Sequence, residues 1–430
     1  MSAPLLGLLC MAAMLVFIAL RCPISLAMAA TGLLGFGLIV AFEPAVAILE
    51  AGPFEVLSNY SYSPIPMFIL MGILASKANM SSELFNAART LFGGWRGGMA
   101  LAAVVSCGVF SAISGSSVAT AASMSKVALP EMRKHGYADS LATGTLAAGG
   151  TLGIMIPPSI ALLLYALITE QSVGEMFMAG LIPGLVGLLL YCVTIALLVY
   201  FYPHLAQPGT PTSWGEKLRG LRGVMPFMGV FALIIGGIYS GIFTPTEAAA
   251  VGAFITFWIA LFRGVRLPGF MEALEETLSL SAMIFFMIIG AEIFGYFLSV
   301  SRVSFFLAEW VGGLGLPPYA VLFMVLGLFV ILGCVMDSLA MLLLTIPVVL
   351  PVILDAGFDP VWFGIVAVIT VEVGLITPPV GINVFVIKSM LPDVPVGRIF
   401  RGVFPFVLSD IVRLALLVMF PVLALGMLSR

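Results

Sequence analysis

The sequence predicts an all-α polytopic membrane protein with inverted repeats, made of about ten spans plus two re-entrant helical hairpins. Three observations carry this. First, only 18 Lys and Arg and 21 Asp and Glu occur in 430 residues, so 9% of the chain is charged. A soluble domain carries about 25%, so a water-exposed surface for a globule of this size is out of reach. Second, apolar residues make up 61% of the chain and the mean hydropathy is +1.19. They fall in long continuous runs, which fit spanning helices and disfavour the alternating pattern of an outer-membrane barrel. Third, motifs in the two halves recur at a constant offset of 221 residues.

A span needs roughly 20 apolar residues. The candidates are about 5–20, 24–42, 64–80, 138–168, 176–202, 224–242, 246–262, 272–298, 360–390 and 400–428. The first reads as a retained span, because the N-terminus lacks the basic start and small-residue cleavage site of a signal peptide. The stretches 98–133 and 318–356 are too long for one span. Each is broken near its middle, by Ser114-Gly115-Ser116-Ser117 and by Met336-Asp337-Ser338. A polar tip favours a hairpin that dips in and returns over two short spans. The segment 81–98 carries Glu83, Arg89 and Arg96 among Leu84, Phe85, Leu91, Phe92 and Trp95, the pattern of an interfacial amphipathic helix. The expected organisation is scaffold spans over 1–80, a first repeat over 81–203 and a polar linker over 204–222 that includes Pro208, Gly209 and Pro211. Scaffold spans over 223–300 and a second repeat over 301–430 follow.

Orientation follows from the basic residues. With the N-terminus outside, 14 Lys and Arg fall on the cytoplasmic side, from Arg21 and Lys77 to Arg398 and Arg401, against Arg302 and Arg430 outside. Lys126 and Arg413 lie within apolar segments. The asymmetry holds only if both hairpins return to their own side, the first entering from the cytoplasm and the second from outside. The repeats are then inverted, an arrangement common in secondary transporters. At the 221-residue offset Ser117 falls on Ser338, Leu129-Pro130 on Leu350-Pro351, and Gly136 on Gly357. Gly153 likewise falls on Gly374 and Pro157-Pro158 on Pro378-Pro379.

Two of these segments carry chemistry. Adjacent prolines remove two amide donors and push the preceding residue out of the α region, so the helices must unwind at Ile156 and Thr377. The freed carbonyls are costly in hydrocarbon unless something occupies them, and a hard cation such as Na⁺ with Ser or Thr hydroxyls is a natural partner. The tips supply Ser111, Ser114, Ser116, Ser117 and Thr120 in the first hairpin and Asp337 in the second. An intramembrane carboxylate is a functional candidate, and an Asp at that position also caps a helix. Free amides at the tip helices favour an anionic group. Asp410 and Arg413, spaced i,i+3, fit a structural ion pair. Glu372 stands about one turn before Thr377 and is expected near the unwound segment, and Glu247 after Thr244-Pro245-Thr246 fits a helix first turn.

The five cysteines form no CxxC pair, and His135 and His204 read as solvated loop residues. A net charge of −3, with no basic tail, gives no case for nucleic acid. No HExxH or membrane GxSxG-His arrangement supports an enzyme.

The order Ser-Gly-Ser-Ser-x-Ala-Thr from Ser114, Gly-Thr-Leu-Gly-Ile-x-Ile-Pro-Pro-Ser from Gly150, Gly-Cys-x-x-Asp from Gly333 and Glu-x-Gly-Leu-Ile-Thr-Pro-Pro-Val-Gly-x-Asn from Glu372 resembles the large membrane subunit of TRAP transporters, the DctM and SiaM type. The resemblance covers essentially the whole chain. It implies a Na⁺-dependent secondary transporter of the bacterial inner membrane with an elevator mechanism. The implied partners are a small four-helix membrane subunit (Q type), a periplasmic substrate-binding protein (P type) and an organic acid such as a C4-dicarboxylate or sugar acid. No small-subunit helices precede Leu5, so a separate small subunit is expected. The resemblance implies one Na⁺ site at Ser114 with Gly153, Ile156 and Pro158, and a second at Gly333 with Gly374 and Thr377. It implies a substrate cavity at Ser116 and Thr120, to which the tip residues Ser117, Asp337 and Ser338 and the motif residue Asn383 are added as candidates. Many members carry Asp where this chain has Thr120. A stand-alone Na⁺- or H⁺-coupled anion symporter of the wider elevator group is the alternative.

Overall fold

The computed structural model describes residues 3–209 and 212–428, so Pro211 of the expected linker and Arg430 of the orientation tally lie outside it. The described residues form twenty α-helices and two short 3₁₀ turns, with one isolated bridge between Arg96 and Pro208. The first half contains α1 (Ala3–Ala19), α2 (Ile24–Ile39), α3 (Phe42–Ser58), α4 (Pro64–Lys77) and α5 (Met80–Phe92). It continues with α6 (Gly98–Ser114), α7 (Ser117–Lys134), α8 (Asp139–Met155), α9 (Ile160–Ile168) and α10 (Val173–Phe201). The second half contains α11 (Trp214–Tyr239), α12 (Pro245–Phe262), α13 (Leu267–Ser301), α14 (Val303–Gly313) and α15 (Pro318–Gly333). Then come α16 (Ser338–Asp355), α17 (Pro360–Ile376), α18 (Ile382–Met390), α19 (Val396–Met419) and α20 (Val422–Leu425).

Six of these helices are long and apolar enough to cross a bilayer: α10, α11, α12, α13, α16 and α19. The pair α8 and α9, bent by 41° at the first Pro-Pro break, passes the same test when taken together. Every expected span falls on helix, several on shorter ones such as α1, α2 and α17. One arm of the second expected hairpin, α16, is by itself long and apolar enough to span. The helix α3 was not expected. Glu43, Glu50, Glu55 and Pro53 interrupt its apolar pattern, and its outer residues are exposed.

Helix boundaries recur at the 221-residue offset beyond the motifs. α12 begins 221 residues after α2, α16 after α7 and α17 after α8. The N-caps Ser116 and Asp337 correspond, as do Ala138 and Asp359, and both Pro-Pro bonds are cis. The one break in this register has a sequence cause. Asn59 takes the Ser61 N–H into its side chain, and Pro64 and Pro66 start a new helix, so α3 and α4 are separate. The corresponding positions are Leu280, Phe285 and Met287, and α13 runs unbroken for 35 residues.

α13 packs on α2, α3 and α4, and α4 also packs on α12. α6, α7, α10 and α19 surround α8, while α17 lies among α8, α15, α16 and α19. Residues 141–155 of α8 and 361–376 of α17 are buried along their whole length. By contrast Leu34, Leu38, Phe262, Leu278 and Phe286 point outward from α2, α12 and α13. Exposed apolar side chains around a buried centre are what a lipid surround selects. The arm α5 is amphipathic as expected and is tied on both sides: Glu83 pairs with Arg263 at 2.6 Å, and Arg89 with Glu131 of α7 at 3.5 Å. Arg133 pairs with Asp139 at 2.8 Å and Asp393 at 2.7 Å, and its guanidinium holds the exposed Asp393 carboxyl below the usual carboxylate range.

Candidate functional site

α6 ends at Gly115, which adopts φ +61° in the left-handed region, and α7 begins after Ser116. Only glycine takes that turn without strain. The Ser116 hydroxyl caps α7 by accepting from the Ala119 amide at 3.3 Å. At the second tip the Asp337 carboxylate caps α16, accepting from the Leu339 amide at 3.1 Å. The capping role anticipated for Asp337 is therefore present.

The Pro-Pro segments break their helices where expected. Ile156 is extended (φ −81°, ψ 119°), and so is Thr377 (φ −96°, ψ 142°). The Ser159 hydroxyl donates to the Ile154 carbonyl, and the Thr377 hydroxyl to the Val373 carbonyl at 2.6 Å. Pro157 and Pro158 are buried, whereas Pro378, Pro379 and Val380 are exposed. Each tip docks on the glycine that precedes its Pro-Pro pair. A Cβ at Gly153 would come within 3.1 Å of the Ser116 carbonyl and 3.2 Å of the Thr120 hydroxyl. A Cβ at Gly374 would lie 2.7 Å from the Gly333 backbone. The Gly381 amide and the Cys334 thiol also bridge tip and segment, to the Cys334 and Pro378 carbonyls, both at 3.3 Å.

Of the expected groups, Gly153 meets the first tip at Ser116 and Thr120, whose hydroxyl is bonded to that of Ser114, and Gly374 meets the second at Gly333, while Ile156, Pro158 and Thr377 stand in the unwound segments that follow the two glycines. Their donors are hydroxyl and carbonyl oxygens, and the glycines leave backbone cradles that a Cβ would fill. That donor set fits a hard monovalent cation. Among the described residues no group of three or more His, Cys, Asp or Glu side chains could hold a metal ion.

The two tips meet at one cavity of about 400 Å³. Ser114, Ser116, Ser117, Asp337 and Ser338 line it from the tips, and Ile69, Gly72, Ser76, Leu280 and Glu276 from α4 and α13. The Ser338 hydroxyl is buried and has no hydrogen-bond partner. Two expected substrate residues lie elsewhere. Thr120 is fully buried, with its hydroxyl 2.7 Å from that of Ser114, so it belongs to the first junction rather than the cavity lining. Asn383 is also fully buried and donates to the Ala147 carbonyl at 3.3 Å, joining α18 to α8. The contribution of Ser76, Ser123 and Glu276 was missed. Glu276 and Glu272 both pair with Lys77, at 2.8 and 3.0 Å, the latter across 195 residues of sequence, which no local pattern signals. Glu372 pairs with Arg413 at 3.7 Å instead of turning to the unwound segment, so Arg413 faces two acids rather than Asp410 alone. Glu247 closes a capping box with Thr244, as its position suggested.

A second cavity of about 760 Å³ lies at the other end of α13, between Glu292 and Tyr296 of that helix and Glu170, Gln171 and Pro347. Fold and site together define a multi-pass helical membrane protein whose two polar tips converge on one cavity between helix groups, the construction of a transport permease. The comparisons agree with that class. The family described as "Tripartite ATP-independent periplasmic transporter, DctM component" matches residues 11–423. The C4-dicarboxylate TRAP transporter large permease protein DctM of Pseudomonas aeruginosa is 37% identical over 92% of this chain and 93% of its own length. The sialic acid large permease SiaM of Vibrio cholerae is 32% identical over 85% of each chain. The solved Alcanivorax borkumensis YdaH transporter shares the fold, with TM-score 0.58 and 14% identity over 85% of this chain and 88% of its own. The chain belongs to the DctM family: it is the large permease component of a tripartite transporter, which also comprises a small permease subunit and a periplasmic binding protein.

Proposed function

We propose that this chain imports an organic acid across the bacterial inner membrane by Na⁺ symport. The cargo is handed over by a P-type periplasmic binding protein, and a Q-type four-helix subunit braces the chain. The convergence of both tips on one cavity, each docked on an unwound glycine-proline segment, is the observation that carries this reading. In it, Na⁺ is held at Ser114 with the Gly153, Ile156 and Pro158 carbonyls, and at Gly333, Gly374 and Thr377. An ion at each junction fixes its tip, so the cavity takes cargo only when both tips are set. The carboxylate is received at the α7 end, where Ser116 is a neutral cap and the helix N-terminus favours negative charge. Asp337 consumes the equivalent amides of α16 itself, so Ser338 and Ser117 supply hydrogen bonds on that side.

The same reading makes the repeats inverted and the tips the ends of re-entrant hairpins. α1 to α4 and α11 to α13 form the fixed scaffold, and the hairpins with α8, α9, α17 and α18 form the moving unit. The cavity reaches Glu276 beside Lys77, on the side of the basic residues, which corresponds to a cytoplasm-facing state of an elevator stroke. The two relatives named above carry different acids by name, and supplying the cargo through a separate binding protein accounts for such variety.

The test is uptake by proteoliposomes holding both membrane subunits, with the loaded binding protein outside. An inward Na⁺ gradient is expected to be required. Full uptake driven by a pH gradient in Na⁺-free buffer would replace Na⁺ with H⁺ in this reading.

A further inference from the structure

Where α8 begins, α10 ends and α19 begins, a pocket of about 480 Å³ is lined by the first turn of α8, by His204 and by Arg398 and Arg401. It shares no lining residue with the cavity at the tips. Arg398 and Arg401 stand exposed, three residues apart on one face of α19. Asp139, an acid in the lining, is already held by Arg133 at 2.8 Å, and Arg133 holds Asp393 as well, at 2.7 Å. Among the described residues neither Arg398 nor Arg401 has a carboxylate within ion-pair distance. The wall that carries them is fixed. A Cβ on Gly402 would meet the Ser140 carbonyl and one on Gly144 the Gly402 backbone, so α19 crosses α8 in backbone contact.

The pocket continues into a groove of about 310 Å³ between α10 and α19. Leu198 and Pro405 line both, and Tyr202 of the groove stands edge-on to His204 of the pocket, with ring centroids 6.1 Å apart. The groove runs along α10 from Tyr202 to Leu190, about 18 Å of helix, close to the roughly 15 Å depth of one bilayer leaflet. Val193, Leu197, Leu408 and Val412 in its walls are 44 to 56% exposed, so it opens sideways to the bilayer. This end of the molecule carries the basic residues that mark the cytoplasmic side.

A partner helix laid in the groove would leave both guanidinium groups in need of acids. A phospholipid supplies a phosphate for the arginines and a chain for the groove. Guanidinium groups pair with phosphate bidentately, and basic pockets between membrane helices take anionic headgroups. The geometry points to a binding site for one anionic phospholipid, its phosphate between Arg398 and Arg401 beside His204 and one acyl chain in the α10–α19 groove. Since α10 and α19 both pack on α8 and α17, the lipid is held by the helices that carry the Pro-Pro segments. The site is independent of the coupling ion.

The purified two-subunit membrane complex, stripped of lipid in detergent, is titrated with phosphatidylglycerol and, in parallel, with phosphatidylcholine, glycerol phosphate and inorganic phosphate. Thermal stabilisation and the lipid retained in native mass spectrometry are read. Stabilisation with one retained lipid is expected for phosphatidylglycerol alone. Arg398→Gln and Arg401→Gln are each expected to raise the half-stabilising concentration about fivefold and the double variant about thirtyfold, while Arg266→Gln, an exposed arginine outside the pocket, leaves it within about twofold. Leu197→Trp, which fills the groove and keeps both arginines, is expected to lose the retained lipid, and it decides the matter if the double variant fails to fold. Equal stabilisation by glycerol phosphate or inorganic phosphate would make this a soluble-phosphate site and overturn the inference. Equal retention of phosphatidylcholine, no retained lipid in the wild type, or wild-type retention by Leu197→Trp would overturn it as well.

Discussion

Thr377 spends its proton on the Val373 carbonyl, which leaves the lone pairs of its oxygen for a cation, and the Ser114 and Thr120 hydroxyls share one hydrogen bond at 2.7 Å. Thr377→Val and Ser114→Ala are therefore expected to raise the half-saturating Na⁺ concentration of transport, with expression intact. Unchanged Na⁺ dependence in both would move the ion sites elsewhere. The two docked glycines predict an order of severity. A methyl at Gly374 meets backbone at 2.7 Å, which cannot yield without moving the tip, while a methyl at Gly153 meets its neighbours at 3.1 to 3.2 Å. Overpacking of this kind costs about 1–3 kcal/mol. Gly374→Ala is expected to lose nearly all transport and Gly153→Ala to retain part of it, in uptake normalised to membrane-inserted protein. The tip hydroxyls and both proline breaks were legible because they violate the apolar pattern around them. Thr120 and Asn383 were legible as polar residues but not as to partner. Which neighbour a buried hydroxyl or amide finds depends on helices far away in sequence.

At the scale of elements, the contact between α4 and α7 is where a moving hairpin would slide against a fixed helix. The Ser76 and Ser123 hydroxyls lie 3.5 Å apart across it. A Ser76→Cys, Ser123→Cys pair is expected to cross-link under oxidation and abolish uptake, and reduction should restore it. Wild-type uptake with confirmed cross-linking would argue for local gating at the tips in place of an elevator stroke. The arm α5 bridges the same two groups through Glu83–Arg263 and Arg89–Glu131. Arg263 is the better anchored, since it also donates to the Gly223 carbonyl at 2.8 Å and the Ala78 carbonyl at 3.4 Å. Arg263→Ala is expected to lower the melting temperature of the purified complex more than Arg89→Ala, because charge-assisted bonds to backbone carbonyls contribute about 1.5–3 kcal/mol and an exposed pair 1 or less. The amphipathic arm was readable from its 3.6-residue pattern. α3 was not, because its acids and proline mask a helix whose stability comes from packing on α2 and α13.

Across the whole molecule, composition dictated a helical membrane protein. A chain with 9% charged residues belongs in lipid, and its long continuous apolar runs satisfy their backbone there through internal helical hydrogen bonds rather than the alternating strands of a barrel. The constant 221-residue register was equally a property of the sequence, since adjacent prolines and cap residues act locally, whereas the single prolines Pro130 and Pro351 stand inside α7 and α16. What only the tertiary structure decided is which breaks meet. It brought the two tips, 221 residues apart, to one cavity with α4 and α13. It also paired Lys77 with Glu272 and Glu276, and set Glu372 beside Arg413 rather than against its own unwound segment. Local backbone chemistry is written residue by residue, so it can be read in one dimension. Charge partners and cavity walls come from helices that close packing brings together, and the pairing of long-range neighbours leaves no periodic trace in a single chain.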